Sequence, residues 1–255
     1  MLSLSAHEQL AAHPDLHLVE GLKATVNQLY RQRFPAEILA QRDAVWKVLC
    51  RSWFARYIPK DARLLEVAAG YCEFINNVQA AERVAVDLNP DTKRHAAPGV
   101  LVHEIPAQSV ADELGRDYFD TAFMSNFLEH CRSRDEMLAV LKAVHAALKP
   151  GGRLLILGPN FRCCYKQYFD YFDHYLPLTE KAIVEAIRLA DFEPEVVAPK
   201  TLPFTFRSRF PKQPWVVSLY LRLSWLWPLF GAQFFVVGRK PGPGNSFESA
   251  NHQAA

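Results

Sequence analysis

The sequence predicts an α/β fold built on a doubly wound sheet of seven strands, and three observations predict it. Short apolar, β-rich runs recur from residue 63 onward, amphipathic stretches separate them, and a glycine-bearing turn follows the first run in "RLLEVAAGYCEFINN", residues 63–77. Apolar runs without polar alternation belong to strands covered on both faces, as in a parallel sheet wrapped by helices. With 255 residues, half of them hydrophobic, the chain is long enough to bury a full core.

Residues 15–57 have helical spacing, with Leu22, Val26, Leu29 and Tyr30 on one face and Val45, Val48, Leu49 and Trp53 on another, separated by Pro35. Two or three helices are expected there, closed by Pro59 because proline cannot continue a helix. Residues 1–58 therefore read as a helical cap or lid ahead of a main domain at 59–240.

Strands are expected at "RLLEV", "RVAVD", "GVLVH", "DTAFM" and "RLLILG". Before the fifth, Met137, Leu138, Leu141, Val144 and Leu148 form one helical face, and "KPGG" stops that helix and turns the chain. After it, "PNFRCCYKQYFDYFDHYLPL" is aromatic and irregular, and Thr179 caps the helix that follows. The sixth strand is "EPEVVAP" and the seventh is "AQFFVVGRK", residues 232–240, with an unusual insertion at 203–230 between them. The polar tail, 241–255, is expected to be disordered.

Composition excludes several functions. The net charge is +2 and the basic residues are scattered, so nucleic acid is not an expected partner. The five cysteines form an odd set without CxxC spacing, which argues against a disulfide framework and a structural zinc site. No ligand cluster with convincing metal spacing is visible, and none is expected. The N-terminus lacks the pattern of a secretory signal, so the expected location is cytoplasmic. Residues 215–230 are strongly apolar but contain Arg222 and Pro228 and fall short of the ~20 residues of a spanning helix. The whole insertion 203–230, carrying Arg207, Arg209, Lys212 and Arg222, could bind an apolar or anionic acceptor, a second copy of the chain or, ranked last, a membrane surface.

In a doubly wound sheet, ligands sit beyond the carboxyl ends of the strands near the switch point. A dinucleotide would ask for GxGxxG in the first turn, and "EVAAGYCE" keeps only Gly70, so a diphosphate ligand is poorly supported. The run does resemble the first motif of the class I S-adenosylmethionine-dependent methyltransferases, an acidic residue followed by GxGxG, written here as Glu66, Ala68, Gly70 and Cys72. "RVAVDLNP" resembles the second-strand end of that family, "DTAFMSNFLEH" its fourth-strand motif, and "LKPGGRLLILGPN" its fifth. The variants "AGYxEFxNN", "SNFLEH" and "LGPN" resemble a branch from bacterial biosynthetic clusters.

The resemblance implies a Rossmann-like sheet, mostly parallel with the last strand antiparallel, and S-adenosylmethionine as cofactor. It makes Glu66 and Gly70 contacts to the methionine portion, with Ala68, Tyr71 and Leu88 beside them, and Asp87 the ribose clamp. Ala107 and Gln108 would flank the adenine, and Asn126 would sit near the methionine end. Local roles compete with these: Glu66 as a helix cap and Asp87 as a turn aspartate.

For the chemistry, His130 is a candidate general base, with anchoring of a helix start as its local alternative. Tyr171, Asp173, His174 and Tyr175 supply phenols, acid–base groups and aromatic faces that favour a cation. Tyr30, Arg42 and Trp46 are lid material. The implied function is methyl transfer to a small molecule such as a natural product, saccharide or lipid-linked intermediate. Two alternatives stand beside it: intramolecular cyclisation of the cofactor with release of methylthioadenosine, and a catalytically silent cofactor-binding module.

Overall fold

The computed structural model describes residues 27–204 and 211–242. The expected helical stretch before residue 27, Arg207 and Arg209 of the insertion, and the tail from 243 lie outside them. A helix over residues 27–33, α1, is followed by α2 (Ala36–Ser52) and a 3-10 turn (Phe54–Arg56). Pro35 separates the two helices and serves as the N-cap of α2, where its missing N–H costs nothing.

Seven strands follow: β1 (Arg63–Val67), β2 (Glu82–Val86), β3 (Val100–His103), β4 (Phe119–Ser125), β5 (Leu148–Pro159), β6 (Glu193–Ala198) and β7 (Gln233–Arg239). They form one sheet in the order β3-β2-β1-β4-β5-β7-β6. β1 pairs in parallel with β2 and β4, while β7 runs antiparallel between β5 and β6. The strand order reverses between β1 and β4, which places a crevice at their carboxyl ends.

Both faces of the sheet are buried, and alternate residues feed them. Leu65, Val67, Val84, Met124, Leu154 and Ile156 enter one core with α6 (Arg134–Ala147) and α8 (Glu180–Leu189). Leu64, Ala85, Phe123, Leu155 and Phe235 enter the other with α2 and α3 (Glu73–Asn77). Each fully buried Leu or Phe contributes about 1.5–3 kcal/mol, so the sheet is held from both sides.

Local signals explain the helix ends. Ser133 accepts the Glu136 N–H at 3.1 Å while the Glu136 carboxylate accepts the Arg132 N–H at 2.7 Å, a near relative of the capping box. Thr179 caps α8 as expected, accepting the Ala182 N–H at 3.2 Å. The inward face of α6 is Met137, Val140, Leu141, Val144 and Ala147, with Leu138 only partly buried. "KPGG" stops α6 at Ala147 and turns the chain as expected: Leu148 and Arg153 pair with Phe119 and Thr121, so residues 149–152 bulge out of β5, with Gly151 at φ 81°. One expectation is corrected. The aromatic run after β5 is not wholly irregular, because Asn160 accepts the Arg162 N–H at 3.2 Å and starts α7 (Phe161–Tyr168).

The remaining short helices are α4 (Thr92–His95) after β2 and α5 (Val110–Leu114) after β3. The insertion folds as α9 (Pro214–Arg222), a 3-10 turn (Ser224–Leu226) and α10 (Trp227–Phe230). Val217 and Leu221 of α9 pack into the second core, whereas Trp215, Trp225 and Leu229 are exposed. No helix among the described residues is long and apolar enough to cross a membrane.

Candidate functional site

The turn after β1 is the floor of the site. Ala68 (φ 58°), Gly70 (φ 55°) and Cys72 (φ 63°), at alternate positions, all occupy the left-handed region. For the two residues with a Cβ this costs about 1 kcal/mol each, so the surroundings must hold the loop in place. They do so through β2 and α4. Ala69 N–H donates to Val86 O at 3.1 Å, Gly70 N–H to Asp87 Oδ2 at 2.6 Å, and Thr92 Oγ1–H to Gly70 O at 2.8 Å. Glycine is required at position 70 twice over: by its φ, and because a Cβ would lie 2.6 Å from Tyr30 Oη.

Asp87 is buried, and its other oxygen accepts the Asn89 N–H at 2.7 Å, so it is a turn aspartate as well as a wall of the site. Burial pushes its carboxyl up, against the lowering effect of hydrogen bonds from Asn89, Gly70 and Leu88. Glu66 caps α3 through the Ile75 N–H at 3.1 Å. Burial, reinforced by the Glu73 charge, raises its pKa well above the ordinary carboxylate value. Both local roles foreseen for these residues are present, and both residues also face the cavity.

That cavity has a volume of about 610 Å³, within the usual range for small-molecule sites. Of the sequence-predicted cofactor residues, Glu66, Ala68, Gly70, Asp87, Leu88, Ala107, Gln108 and Asn126 line it. Tyr71 does not: its ring stacks on His95 at 4.0 Å and meets Tyr30 edge-on at 5.2 Å. Of the predicted catalytic residues, His130, Tyr171, Asp173 and His174 line the same cavity. Tyr175 does not, because its N–H donates to Glu129 O at 2.9 Å and leaves the ring half exposed.

The helix α1 lies over this cavity and is tied down at both ends. Asn27 Nδ2 donates to Asn89 Oδ1 at 2.9 Å, and Arg31 pairs with Asp91 at 2.9 Å. Arg33 pairs with Asp173 through both terminal nitrogens and sits 5.1 Å from the Tyr171 ring centroid. Arg42 of α2 reaches Glu73 at 2.6 Å and lies 3.9 Å from the Phe34 ring centroid. Tyr30, Arg42 and Trp46, anticipated as lid residues, all line the cavity.

At the far end, His130 Nδ1 lies 2.8 Å from the Asp173 carbonyl and 3.2 Å from its carboxylate. Burial favours the neutral acid at Asp173, but the Arg33 hydrogen bond and the nearby His130 and Arg33 charges outweigh it and hold the carboxyl below its usual range. Burial raises Glu129 and lowers His174 to about 4. Glu129 and Arg33 were not singled out from sequence. A buried acid beside a histidine at the mouth of a central strand was the available signal for Glu129, but nothing local marks Arg33.

The cavity fits S-adenosylmethionine on its own geometry. Its floor presents main-chain groups of a turn in which a Cβ at Gly70 would collide, carboxylates at Glu66, Glu73 and Asp87 stand near it for cationic groups, and Tyr30, Phe34 and Trp46 provide aromatic walls.

Comparison with known proteins agrees. A family model described as "Methyltransferase domain" matches residues 38–194. A search of curated proteins by sequence finds no match. Among solved structures, a SAM-dependent methyltransferase from Archaeoglobus fulgidus is 18% identical, with a TM-score of 0.60 over 83% of this chain and 98% of that one. A Thermotoga maritima SAM-dependent methyltransferase, described as a possible histamine N-methyltransferase, is also 18% identical, with a TM-score of 0.59 over 83% and 98%. The cyclase SpnF is 16% identical, with a TM-score of 0.52 over 74% and 78%. The chain belongs to the methyltransferase-domain family, with the fold of the class I S-adenosylmethionine-dependent enzymes, and S-adenosylmethionine is its cofactor.

Proposed function

We propose that the cavity transfers a methyl group to a small-molecule acceptor such as a natural product, a saccharide or a lipid-linked intermediate. The observation that carries this reading is the continuity of one cavity from the Ala68–Gly70 turn and Asp87 to the acid–base groups Glu129, His130, Asp173 and His174. Bound S-adenosylmethionine supplies an electrophilic methyl group on a sulfonium sulfur. That group would pass to a nucleophilic atom of the acceptor, with S-adenosylhomocysteine as the other product.

The protein aligns, encloses and accepts a proton. Asp87 would hold the ribose diol, Glu66 and the Gly70 main chain the amino-acid end, and Ala107 and Gln108 would border the adenine, with Asn126 on the side of the reacting end. The strapped α1 excludes water. At the far end, Phe127, Leu202 and Phe204 provide apolar walls for the acceptor, whose proton leaves toward the Glu129–His130–His174 cluster.

Cyclisation of the cofactor's own amino-acid chain would need aromatic enclosure with no room beyond it. The walls past Asn126 favour transfer over that route and over a silent binding role. Incubation with S-adenosylmethionine and an acceptor panel, followed by mass analysis, tests the reading. S-adenosylhomocysteine and a product heavier by one methylene unit are expected. Methylthioadenosine would establish cyclisation instead, and calorimetric binding without any turnover would favour the silent module.

A further inference from the structure

Three side chains at the far end of the cavity meet in an arrangement made only of acceptors. One ligand-type atom from each of Glu129, His130 and His174 lies within 4.8 Å of the others. His130 Nδ1 faces the Asp173 carbonyl at 2.8 Å, and a carbonyl can only accept, so the proton of the neutral ring is on Nδ1 and Nε2 carries a lone pair. That Nε2 is 4.0 Å from Glu129 Oε1. His174 is 8% exposed and hydrogen-bonded to the main chain of Tyr168. Its remaining nitrogen, Nδ1, is buried without a hydrogen-bond partner among the described residues. Glu129 is 2% exposed and can only accept when ionised.

Among the described residues no donor partners the buried His174 Nδ1, and two imidazoles and a buried carboxyl bring ligand atoms within 4.8 Å of one another, an arrangement that suits a cation. We propose that Glu129, His130 and His174 form a binding site for a divalent transition-metal ion of the zinc, cobalt or iron(II) type. Two borderline-soft nitrogens with one hard oxygen suit such ions better than magnesium or calcium, which prefer all-oxygen sites. Three protein ligands leave a coordination position open toward the cavity, as in catalytic rather than structural metal sites.

The surroundings support the assignment. Metal-binding histidines typically donate their second ring N–H to a carbonyl or carboxylate, which fixes the tautomer, and Asp173 offers His130 both, at 2.8 and 3.2 Å. Arg33, the cation nearest this wall, is paired with Asp173 and so balanced by that carboxylate. A tetrahedral ion with bonds of ~2.1 Å holds its ligand atoms ~3.4 Å apart, so the arms close by at most about 1.4 Å from the 4.8 Å within which they lie. A metal here would occupy the lone pairs that otherwise receive the acceptor's proton, and would instead bind an acceptor hydroxyl and ease loss of its proton to solvent. The site itself stands whether or not methyl transfer is the reaction.

The test uses the full chain, stripped with a chelator and titrated with Co2+ by visible absorption and with Zn2+ by equilibrium dialysis. One equivalent of each is expected to bind. His174→Ala and Glu129→Gln should each weaken binding by about tenfold or more, while His103→Gln on the edge strand β3 leaves it unchanged. Far-ultraviolet circular dichroism confirms that the variants fold, and the near-isosteric Glu129→Gln keeps the test valid if His174→Ala does not. No stoichiometric uptake by the unaltered chain, or uptake equal in the folded variants, overturns the proposal. Calorimetry with S-adenosylmethionine runs in parallel: Co2+ bound at this cluster without cofactor binding would sink the transferase reading and leave the metal site standing.

Discussion

Replacing Asp87 with asparagine separates its two roles. The carboxylate accepts the Gly70 N–H at 2.6 Å and the Asn89 N–H at 2.7 Å, so it braces the β1 turn against the end of β2. A hydrogen bond to a charged acceptor contributes about 1.5–3 kcal/mol. Asparagine keeps one acceptor oxygen and turns an amide donor toward the other N–H, so one of the two bonds is lost. Burial already raises the Asp87 pKa, and removing its charge returns part of that desolvation cost, which puts the net loss near ~1.5 kcal/mol. For a chain of this size, that lowers Tm by roughly 3–6 °C. If Asp87 also clamps the ribose, S-adenosylmethionine binds about tenfold or more weakly, ~1.4 kcal/mol by calorimetry. An unchanged melting temperature refutes the brace, and an unchanged affinity in the folded variant refutes the clamp.

Three further outcomes are expected. Gly70→Ala should lower stability by about 1–2 kcal/mol from its left-handed φ alone, and by more from the collision with Tyr30. Adding Tyr30→Ala should show a favourable coupling in a double-mutant cycle, and strictly additive losses would refute the collision. Leu155→Ala, at a fully buried position in the central sheet, should cost about 2–5 kcal/mol by denaturant unfolding. His145 is held below its ordinary pKa by burial and by the Lys240 charge, so the unfolded chain binds that proton more readily. Stability should therefore fall on acidification below about pH 6.5, and His145→Gln should flatten the slope. Parallel pH curves for the two proteins would rule this out.

Much of the fold was legible because its determinants are local. Apolar runs at "RLLEV" and "RLLILG" mark strands, Thr179 marks a helix start, and Pro35 separates two helices, since each acts through its own backbone neighbours. The helix at Phe161–Tyr168 is not legible in the sequence because its aromatic face obscures a helical period and its cap is a single asparagine. The turn at "KPGG" is legible from its glycines, but not what holds it: Lys240, just past β7, accepts the Gly151 N–H at 2.9 Å.

The candidate site divides the same way. Ala68, Gly70 and Asp87 could be placed because strand ends and turns put them at the switch point. Tyr71 follows from its place in the resembling turn and Tyr175 from residue type, but ring direction depends on packing: Tyr71 is drawn to His95, and Tyr175 is turned out by its own amide bond to Glu129.

By itself, the sequence determined the order of strands and helices, the glycine at position 70 and the acid at the end of β2, because hydrophobic period and turn chemistry act over a few residues. Only the tertiary structure decided that Arg33 pairs with Asp173, that Tyr30 stands over Gly70, and that His174 faces Glu129 and His130. Those contacts join segments far apart along the chain, and the crossing of the sheet's connections brings them together, which no local pattern encodes.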